Sequence, residues 1–411
     1  MRRVAVVGAG AAGSMAAIFA ASADAQTLLL ERTPEGGRKI LISGGGRCNI
    51  LPARVEESRF VTESSPHTLR RMLRSWPLAD QIAFFERELR LSLVEETETG
   101  KLFPASNRAK DVRDGLLSLA ARRGASVAMN ALVTGLTPRG GVWQVERADA
   151  PPLEVDAVVL ASGGLSVPKT GSDGTGFSIL EKLGHTIHPL YAALTPLLAP
   201  PNPFSPLAGV SANVALTARA GRLRASATGG FLFTHRGYSG PAVLDISHVA
   251  VRAMEASAAD SAARVLVRWT HLDERAWEAA LSPDGSRTVL SALRRELPER
   301  LALALLATAV VEAATALTRL RRADRLRLLE TLVRGELPWN GHEGFPKAEV
   351  TGGGVSLAEV DPRTMESKLH PGLFLCGELL DAFGPIGGYN FQWAWATGRA
   401  AGLGAAGSDQ P

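Results

Sequence analysis

Gly8-Ala9-Gly10-Ala11-Ala12-Gly13 is the first stretch whose spacing could do chemistry, and Glu31, 18 residues beyond Gly13, is its complement. Glycines so spaced permit a tight turn, close approach of backbone to a pyrophosphate, and tight packing of a following helix whose N-terminus attracts the anion. A carboxylate at Glu31 can accept both hydroxyls of an adenosine ribose and is the wrong neighbour for the 2'-phosphate of NADP. This motif alone does not separate FAD from NAD. Far along the chain, Leu373-Phe374-Leu375-Cys376-Gly377-Glu378 is an apolar run closing on glycine and acid, and Gly387-Gly388-Tyr389-Asn390 opens a helical stretch. An acid at Glu378 can hold a ribityl hydroxyl. The positive end of the helix can face N1 and the C2 carbonyl of a flavin, stabilising the negative charge of its reduced form. NAD alone needs neither, so the pair points to FAD; an ordinary strand-turn-helix crossover is the plainer reading of the same segment.

Three side chains could move protons or electrons beside such a cofactor. His235 sits in the turn-rich segment Thr-His-Arg-Gly-Tyr-Ser-Gly-Pro, and either it or Tyr389 could deliver a proton opposite a hydride. Cys48, which follows Arg47, could act as redox partner or proton donor. A hydrogen-bonding imidazole and a packed thiol are the structural readings of His235 and Cys48. No second cysteine stands at C-x-x-C or C-x4-C spacing from Cys48, which removes a disulfide-reductase mechanism. His185 and His188 form a pair without further ligands, so no metal site is expected. No second Gly-x-Gly-x-x-Gly follows a strand downstream, so NADH or NADPH would reach the flavin transiently rather than from a domain of its own.

The elements that must position these residues can be read from periodicity. Val4 to Val7 and Thr27 to Leu30 read as buried strands flanking a small-residue helix over Ala11 to Ala23, a βαβ unit. A Gly-rich loop is expected from Gly36 to Asn49, helices over Leu69 to Trp76 and Leu78 to Leu89 around Pro77, and another over Ala109 to Arg123. Ala131 to Thr137 and Val142 to Arg147 suit a hairpin about Arg139-Gly140-Gly141, and Val155 to Leu160 a buried strand. From Thr195 prolines cluster, short strands run to about Trp269, and helical periodicity holds over Val289 to Arg334. Strand and turn texture returns after Phe345. The expected organisation is an α/β dinucleotide-binding domain over 1–194, an inserted domain over 195–344, β-rich and then helical, and a return segment over 345–411.

Composition narrows the setting. A chain of 411 residues, 45% hydrophobic and 21% charged, is long enough for two or three cores and too apolar for widespread disorder. Its 45 basic residues against 41 acidic ones are almost all arginine, with only seven lysines, a bias compatible with an anionic cofactor, an RNA partner or codon usage. Two cysteines make no disulfide framework, so a reducing, cytoplasmic setting is expected. Arg2 and Arg3 before an apolar stretch, with Ala21-Ser22-Ala23 beyond, resemble a secretion signal; cleavage there would remove the glycine motif that Glu31 completes, which argues against it. The longest apolar run elsewhere, Leu301 to Val311, stops at Glu312 and is too short to cross a bilayer, so no membrane partner is expected. Arg319, Arg321, Arg322, Arg325, Arg327 and Arg334 make a basic stretch that could meet RNA, although Asp324 and Glu330 interrupt it and favour a solvated helix face.

One string is far more specific than the dinucleotide motif. Gly37-Arg38-Lys39-Ile40-Leu41-Ile42-Ser43-Gly44-Gly45-Gly46-Arg47-Cys48-Asn49, together with Ala161-Ser162-Gly163-Gly164, Leu232 to Pro241, Val350 to Val355 and Cys376 to Asn390, resembles the BaiN-like flavoproteins over nearly the whole chain. That family also contains aminoacetone oxidase. The resemblance implies an FAD-binding two-dinucleotide fold of the glutathione-reductase Rossmann type, interrupted by an insert, with Ser43 to Asn49 near the isoalloxazine. The candidate cofactor-binding set is then Gly8, Gly10, Ala11, Ala12, Gly13, Glu31 and Arg32 around the first motif, and Lys39, Ser43, Gly44, Gly45, Gly46, Arg47 and Asn49 in the glycine-rich string. Ser162, Gly163, Gly377, Glu378, Gly387, Gly388, Tyr389 and Asn390 complete it. Family members are similar to reductases of activated carbon–carbon double bonds, of steroid dienone and ribosomal RNA uridine types, and to amine oxidases. The implied activity is hydride transfer through flavin N5, either NAD(P)H-linked reduction of an activated C=C bond or oxidation of a small amine. The alternative is an RNA-binding flavoprotein that reduces a uridine, with the Arg-rich insert as docking surface. Relatives commonly carry Thr where this chain has Ser162, and the insert is hard to match, so neither substrate nor oligomeric state is implied.

Overall fold

A computed structural model describes residues 1–256 and 263–407; the last four residues of the expected return segment lie outside it. Backbone contacts divide the chain into two compact units, Met1–Tyr191 with Val350–Pro411, and Ala192–Glu349.

The first unit is built on a five-stranded parallel sheet. In chain order its elements include β1 (Arg3–Val7), α1 (Ala11–Ser22), β2 (Gln26–Leu30), α2 (Arg38–Ile42), α3 (Ala109–Arg122), β3 (Ser126–Ala128), β4 (Ala157–Leu160), β5 (Leu373–Leu375) and α4 (Tyr389–Ala406). The spatial order is β5-β4-β1-β2-β3, and every pairing is parallel. Val4 to Val7 and all of β4 are buried, as strands covered on both faces must be, which is why they read as unbroken apolar runs. The α/β class and the parallel Rossmann sheet expected from the sequence are present. Ala131 to Arg147 forms the expected hairpin, with a third strand, Ala150–Val155, paired to it.

Helix α1 is rich in small side chains because α4 lies directly against it. A Cβ at Gly398 would run into the carbonyl oxygen of Ala12, and one at Gly402, a turn later, into that of Ala16. Only glycine allows backbones this close. The expected loop over Gly36 to Asn49 is instead partly helical: α2 starts after Gly37, in the left-handed region at φ 61°, and a 3-10 turn covers Ser43–Gly46. Buried Ile40 anchors α2, but five residues are too few to show helical period in a sequence.

The second unit carries a seven-stranded antiparallel sheet centred on a long hairpin, Ser211–Ala220 with Leu223–Phe233. Arg264–Arg268 pairs with its first strand. One face holds the core: Phe231, Phe233 and Trp269 are buried, and the Phe233 and Trp269 rings stack at 5.7 Å. Helices Pro241–Glu255, Glu299–Thr308 and Arg322–Arg334 contribute the remaining apolar surface. Among the described residues, no helix is long and apolar enough to cross a membrane.

The α1–α4 contact yields a stability prediction. Gly398→Val forces the two backbones apart and is expected to cost about 2–3 kcal/mol by overpacking. Denaturant unfolding of the variant and the parent chain measures it; an unchanged midpoint would show that the helices do not meet as described.

Candidate functional site

The first motif is crowded inside and open outside. Gly8, at φ 101°, donates its N–H to the Leu30 carbonyl at 2.7 Å, and a side chain at Gly13 would collide with the Gly8 carbonyl. A Cβ at Gly10, by contrast, would meet no atom within 4 Å. Helix α1 then starts at Ala11 with no side chain capping its N-terminus, so the N–H groups of its first turn, from Ala11, Ala12 and Gly13, remain for an anion. Glu31, at the end of β2, is buried and oriented: one carboxylate oxygen accepts the Ala9 N–H at 2.7 Å, the other the Thr33 N–H at 2.8 Å and the Thr33 hydroxyl at 2.7 Å. The oxygen that meets Ala9, with a single donor, keeps acceptor capacity for a sugar hydroxyl. Arg32 is tied to Asp173 at 2.6 Å. Arg113, which sequence reasoning passed over, is buried and donates to the Gly36 carbonyl at 3.2 Å, fixing the turn that leads into α2.

Glu378 is the most densely hydrogen-bonded of the expected residues. Its Oε1 accepts from the Ser166 hydroxyl at 2.6 Å, the Thr351 hydroxyl at 2.9 Å and the Thr351 N–H at 3.0 Å, while Oε2 takes the Lys39 ammonium at 2.5 Å. Burial alone would raise its pKa. The Lys39 charge and hydrogen bond, with the Ser166 and Thr351 hydroxyls, outweigh that and hold the carboxyl below its ordinary range. Lys39 and Glu378 were each expected at the cofactor, but nothing in their spacing joined them. Ser166 and Thr351 were missed; the only available signal was a hydroxyl residue in each of two motifs already singled out.

The start of α4 is built for close approach. Gly388, at φ 92°, has no room for a side chain against Leu51 and Pro52, and no side chain caps the helix. Asn49, with its amide oriented to suit its neighbours, accepts the Gly388 N–H at 2.9 Å and donates to the Leu51 carbonyl at 3.2 Å, so the glycine-rich string and α4 are joined directly. Gly377 N–H donates to the Thr397 hydroxyl at 3.0 Å and its carbonyl accepts from Trp393 at 3.0 Å. Asn390 makes a reciprocal pair with the Gly384 backbone, both bonds 2.9 Å. Gly44, Gly45 and Gly46 all have positive φ and lie exposed, and Ser43 donates its hydroxyl to the Ile40 carbonyl at 2.8 Å. Arg47 is held by Glu96 at 3.1 Å and by the Phe103 ring at 4.0 Å. Gly163, at φ 75°, follows Ser162, whose hydroxyl is buried without a hydrogen-bond partner, an orphaned polar atom. Open space at Gly10, two uncapped helix starts and this orphaned hydroxyl fit a bound dinucleotide.

The three proton or electron carriers fare differently. Cys48 is fully buried, and burial pushes its thiol up to about 12, against a weaker opposing hydrogen bond with Ser43. That is the environment of the packed thiol, the structural reading of Cys48 given above. Tyr389 has a buried ring packed on Phe60 and donates its hydroxyl to the Arg54 carbonyl at 3.4 Å. His235 lies in the second unit, exposed, in the turn closed by the Thr234 N–H to Gly237 carbonyl bond of 2.9 Å. A further buried acid went unnoticed in the sequence. Asp381 accepts from Thr62, from the Glu63 and Ser64 N–H groups and from the Ser64 hydroxyl at 2.8–2.9 Å, with His188 at 3.8 Å. Burial raises its pKa despite those donors. Its signal was a lone acid inside the apolar run Leu379 to Phe383.

Comparison with known proteins agrees with this architecture. The model of the HI0933-like protein Rossmann domain matches residues 2–404. The 3-dehydro-bile acid delta(4,6)-reductase of Clostridium scindens is 33% identical over 99% of both chains, and the ribosomal RNA dihydrouridine synthase of Escherichia coli is 32% identical over 96% of both. Among solved structures, a 3-ketosteroid-delta4-(5alpha)-dehydrogenase from Rhodococcus jostii RHA1 aligns over 98% of this chain and 97% of its own, with 15% identity and a TM-score of 0.49. The chain belongs to the HI0933-like Rossmann-domain family, and with it to the BaiN-like FAD-dependent oxidoreductases whose motifs it carries.

Proposed function

We propose that this protein uses FAD, reduced transiently by NADH or NADPH, to saturate a carbon–carbon double bond conjugated to a carbonyl. One observation carries the reading. Two helices, α1 and α4, pack along each other and both begin without side-chain caps, at Gly10 and Gly388, and Glu378 lies on the segment that connects β5 to α4. A pyrophosphate at one helix start and the carbonyl edge of an isoalloxazine at the other suit a single extended cofactor. When bound, that cofactor would supply the hydride chemistry at its N5. Gly10, Ala11, Ala12 and Gly13 would hold its phosphates, Glu31 its adenosine ribose, Glu378 its ribityl chain, and Ser162 an adjacent polar edge. Support for the reaction class comes from the relatives: a delta(4,6)-reductase of a 3-dehydro-bile acid and a dihydrouridine synthase both saturate a bond activated by a neighbouring carbonyl.

Reduction of such an alkene needs a proton as well as a hydride. The candidate donors are the two read from the sequence, His235 and the Tyr389 hydroxyl. His235→Asn and Tyr389→Phe separate them. The variant lacking the true donor is expected to slow alkene reduction by about 10²–10⁴ while leaving bleaching of the flavin by NAD(P)H unchanged. Equal rates in both variants would remove both assignments.

The cofactor claim is tested by the absorbance of purified protein under anaerobic titration with NADH and NADPH. Gly10→Val is expected to fold normally, because its Cβ meets nothing, yet to lose FAD affinity by about tenfold or more, since the new side chain fills the space that the phosphate needs. No flavin absorbance after FAD supplementation, or oxygen-dependent turnover of a small amine without any bleaching by NAD(P)H, overturns the reading.

Lys39→Met isolates the Glu378 cluster. In the native chain the depressed Glu378 pKa contributes stability that is complete above the ordinary value of 4.5 and is lost as pH falls through the lower folded value. Without the ammonium, burial dominates and the folded pKa rises. The variant is expected to lose about 1–3 kcal/mol at neutral pH and to regain parity with the parent in acid. Unfolding midpoints measured as a function of pH show whether the gap closes in that direction.

A further inference from the structure

A second concentration of charge is produced by strand register in the Ala192–Glu349 unit. Arg219 stands opposite Arg224 on one side and opposite Arg264 on the other. Strand alternation puts all three on the face away from buried Leu216, Ala218, Val265 and Val267. Neighbouring strands are about 4.8 Å apart, so three guanidinium stems stand in a row roughly 10 Å wide. Arg222, in the hairpin turn, and Arg268, further along the same face, extend it. Arg219, Arg222, Arg224 and Arg264 are exposed, and the Arg268 Nε is buried with no hydrogen-bond partner.

Like charges directly opposite one another weaken a sheet. Arg264 is offset by a two-pronged pair with Glu336 at 3.1 and 2.8 Å. Among the described residues, none of the other four has an ion-pair partner. The hairpin that carries Arg219, Arg222 and Arg224 has no acid of its own, because no Asp or Glu occurs between Glu181 and Asp245. Between the arginines the face offers neutral hydrogen-bonding groups: Ser211, Asn213, Thr217, Ser226 and Thr228, with the Thr217 and Ser226 hydroxyls 3.1 Å apart. On the Arg-rich stretch that could meet RNA, two arginines are answered by acids. There Arg327 is paired to Asp324 at 2.7 Å and Arg334 to Glu330 and Glu274, both at 2.7 Å.

We infer that the open face of this sheet, centred on Arg219, Arg222 and Arg224, is a docking surface for RNA, gripping consecutive phosphates while the hydroxyl and amide side chains meet sugar and phosphate oxygens. Uncompensated arginines side by side fit a polyanion, and planar guanidinium groups bind phosphate in two-pronged fashion. The scarcity of apolar side chains on the face disfavours a bilayer or the hydrophobic centre of a protein interface. The inference rests on the reductase reading only for what happens to a docked base.

The test is fluorescence anisotropy of a labelled single-stranded oligouridine with the full-length, FAD-loaded protein. Affinity is expected to fall linearly on a log–log plot against salt, by roughly 0.7 per phosphate contacted. Arg219→Gln/Arg224→Gln is expected to weaken binding about tenfold or more and to reduce that slope by roughly 1.4, with flavin absorbance unchanged and an unfolding midpoint no lower than the parent's. Arg327→Gln, whose charge Asp324 already answers, should leave binding as it was. Parent-like affinity in the double variant, salt-independent binding, or preference for phosphatidylserine vesicles or polyglutamate over the RNA overturns the proposal. Anisotropy does not require the flavin, so a failure of the cofactor reading and a failure of this surface are separately visible.

Discussion

The approach of α4 to α1, backbone against backbone, constrains everything else in the first unit. Gly398 and Gly402 can sit on the carbonyls of Ala12 and Ala16 only because neither helix carries bulk there. Once they do, the beginnings of both helices are fixed relative to β1, β4 and β5, whose ends feed the loops that matter. The uncapped N-termini carry partial positive charge that a folded protein ordinarily satisfies with a side chain. Leaving both bare costs stability in the free protein, and a doubly anionic, extended ligand would offset that cost.

Glu378 shows how the same economy applies to charge. A carboxylate withdrawn from water is expensive unless it is paired and hydrogen-bonded. Lys39 supplies the pair, and Ser166 and Thr351 three of the four donors. The acid is thereby held ionised and acceptor-only, with capacity left on Oε2. Asp381, three residues later, is buried among neutral donors with only a histidine at a distance, and its pKa moves the other way. Two acids close in sequence thus take opposite protonation tendencies from the presence or absence of one nearby cation.

How much of this could be read from the sequence follows the range of the forces involved. The Gly8 to Gly13 motif and Glu31 were legible because their function depends on spacing along one βαβ unit. The strands β1 and β4 were legible because burial on both faces leaves unbroken apolar runs. Helix α2 was not, since one buried isoleucine in five residues leaves no period to detect. Cys48 was legible only as two alternatives, redox partner or packed thiol, because burial is not written in the polar and glycine-rich residues that precede it. Ser166 and Thr351 reach Glu378 from other strands and loops, and no local pattern announces a hydrogen bond across such separations.

Charge behaves by the same logic in the second unit, with opposite outcomes in helix and sheet. On Arg322–Arg334, Arg327 and Arg334 have acids three or four residues away, at the spacing that brings side chains together on a helix, so part of a basic run in sequence is neutralised. In the sheet, Arg219, Arg224 and Arg264 are separated along the chain and look unremarkable there. Antiparallel register sets them shoulder to shoulder, and the absence of acids from the surrounding segment leaves most of that charge standing. A conspicuous cluster of arginines in a sequence is therefore weaker grounds for an anionic partner than a few dispersed ones that the fold aligns. In this chain the two signals disagree, and Arg219 and Arg224, which among the described residues have no carboxylate placed to answer them, are the stronger one.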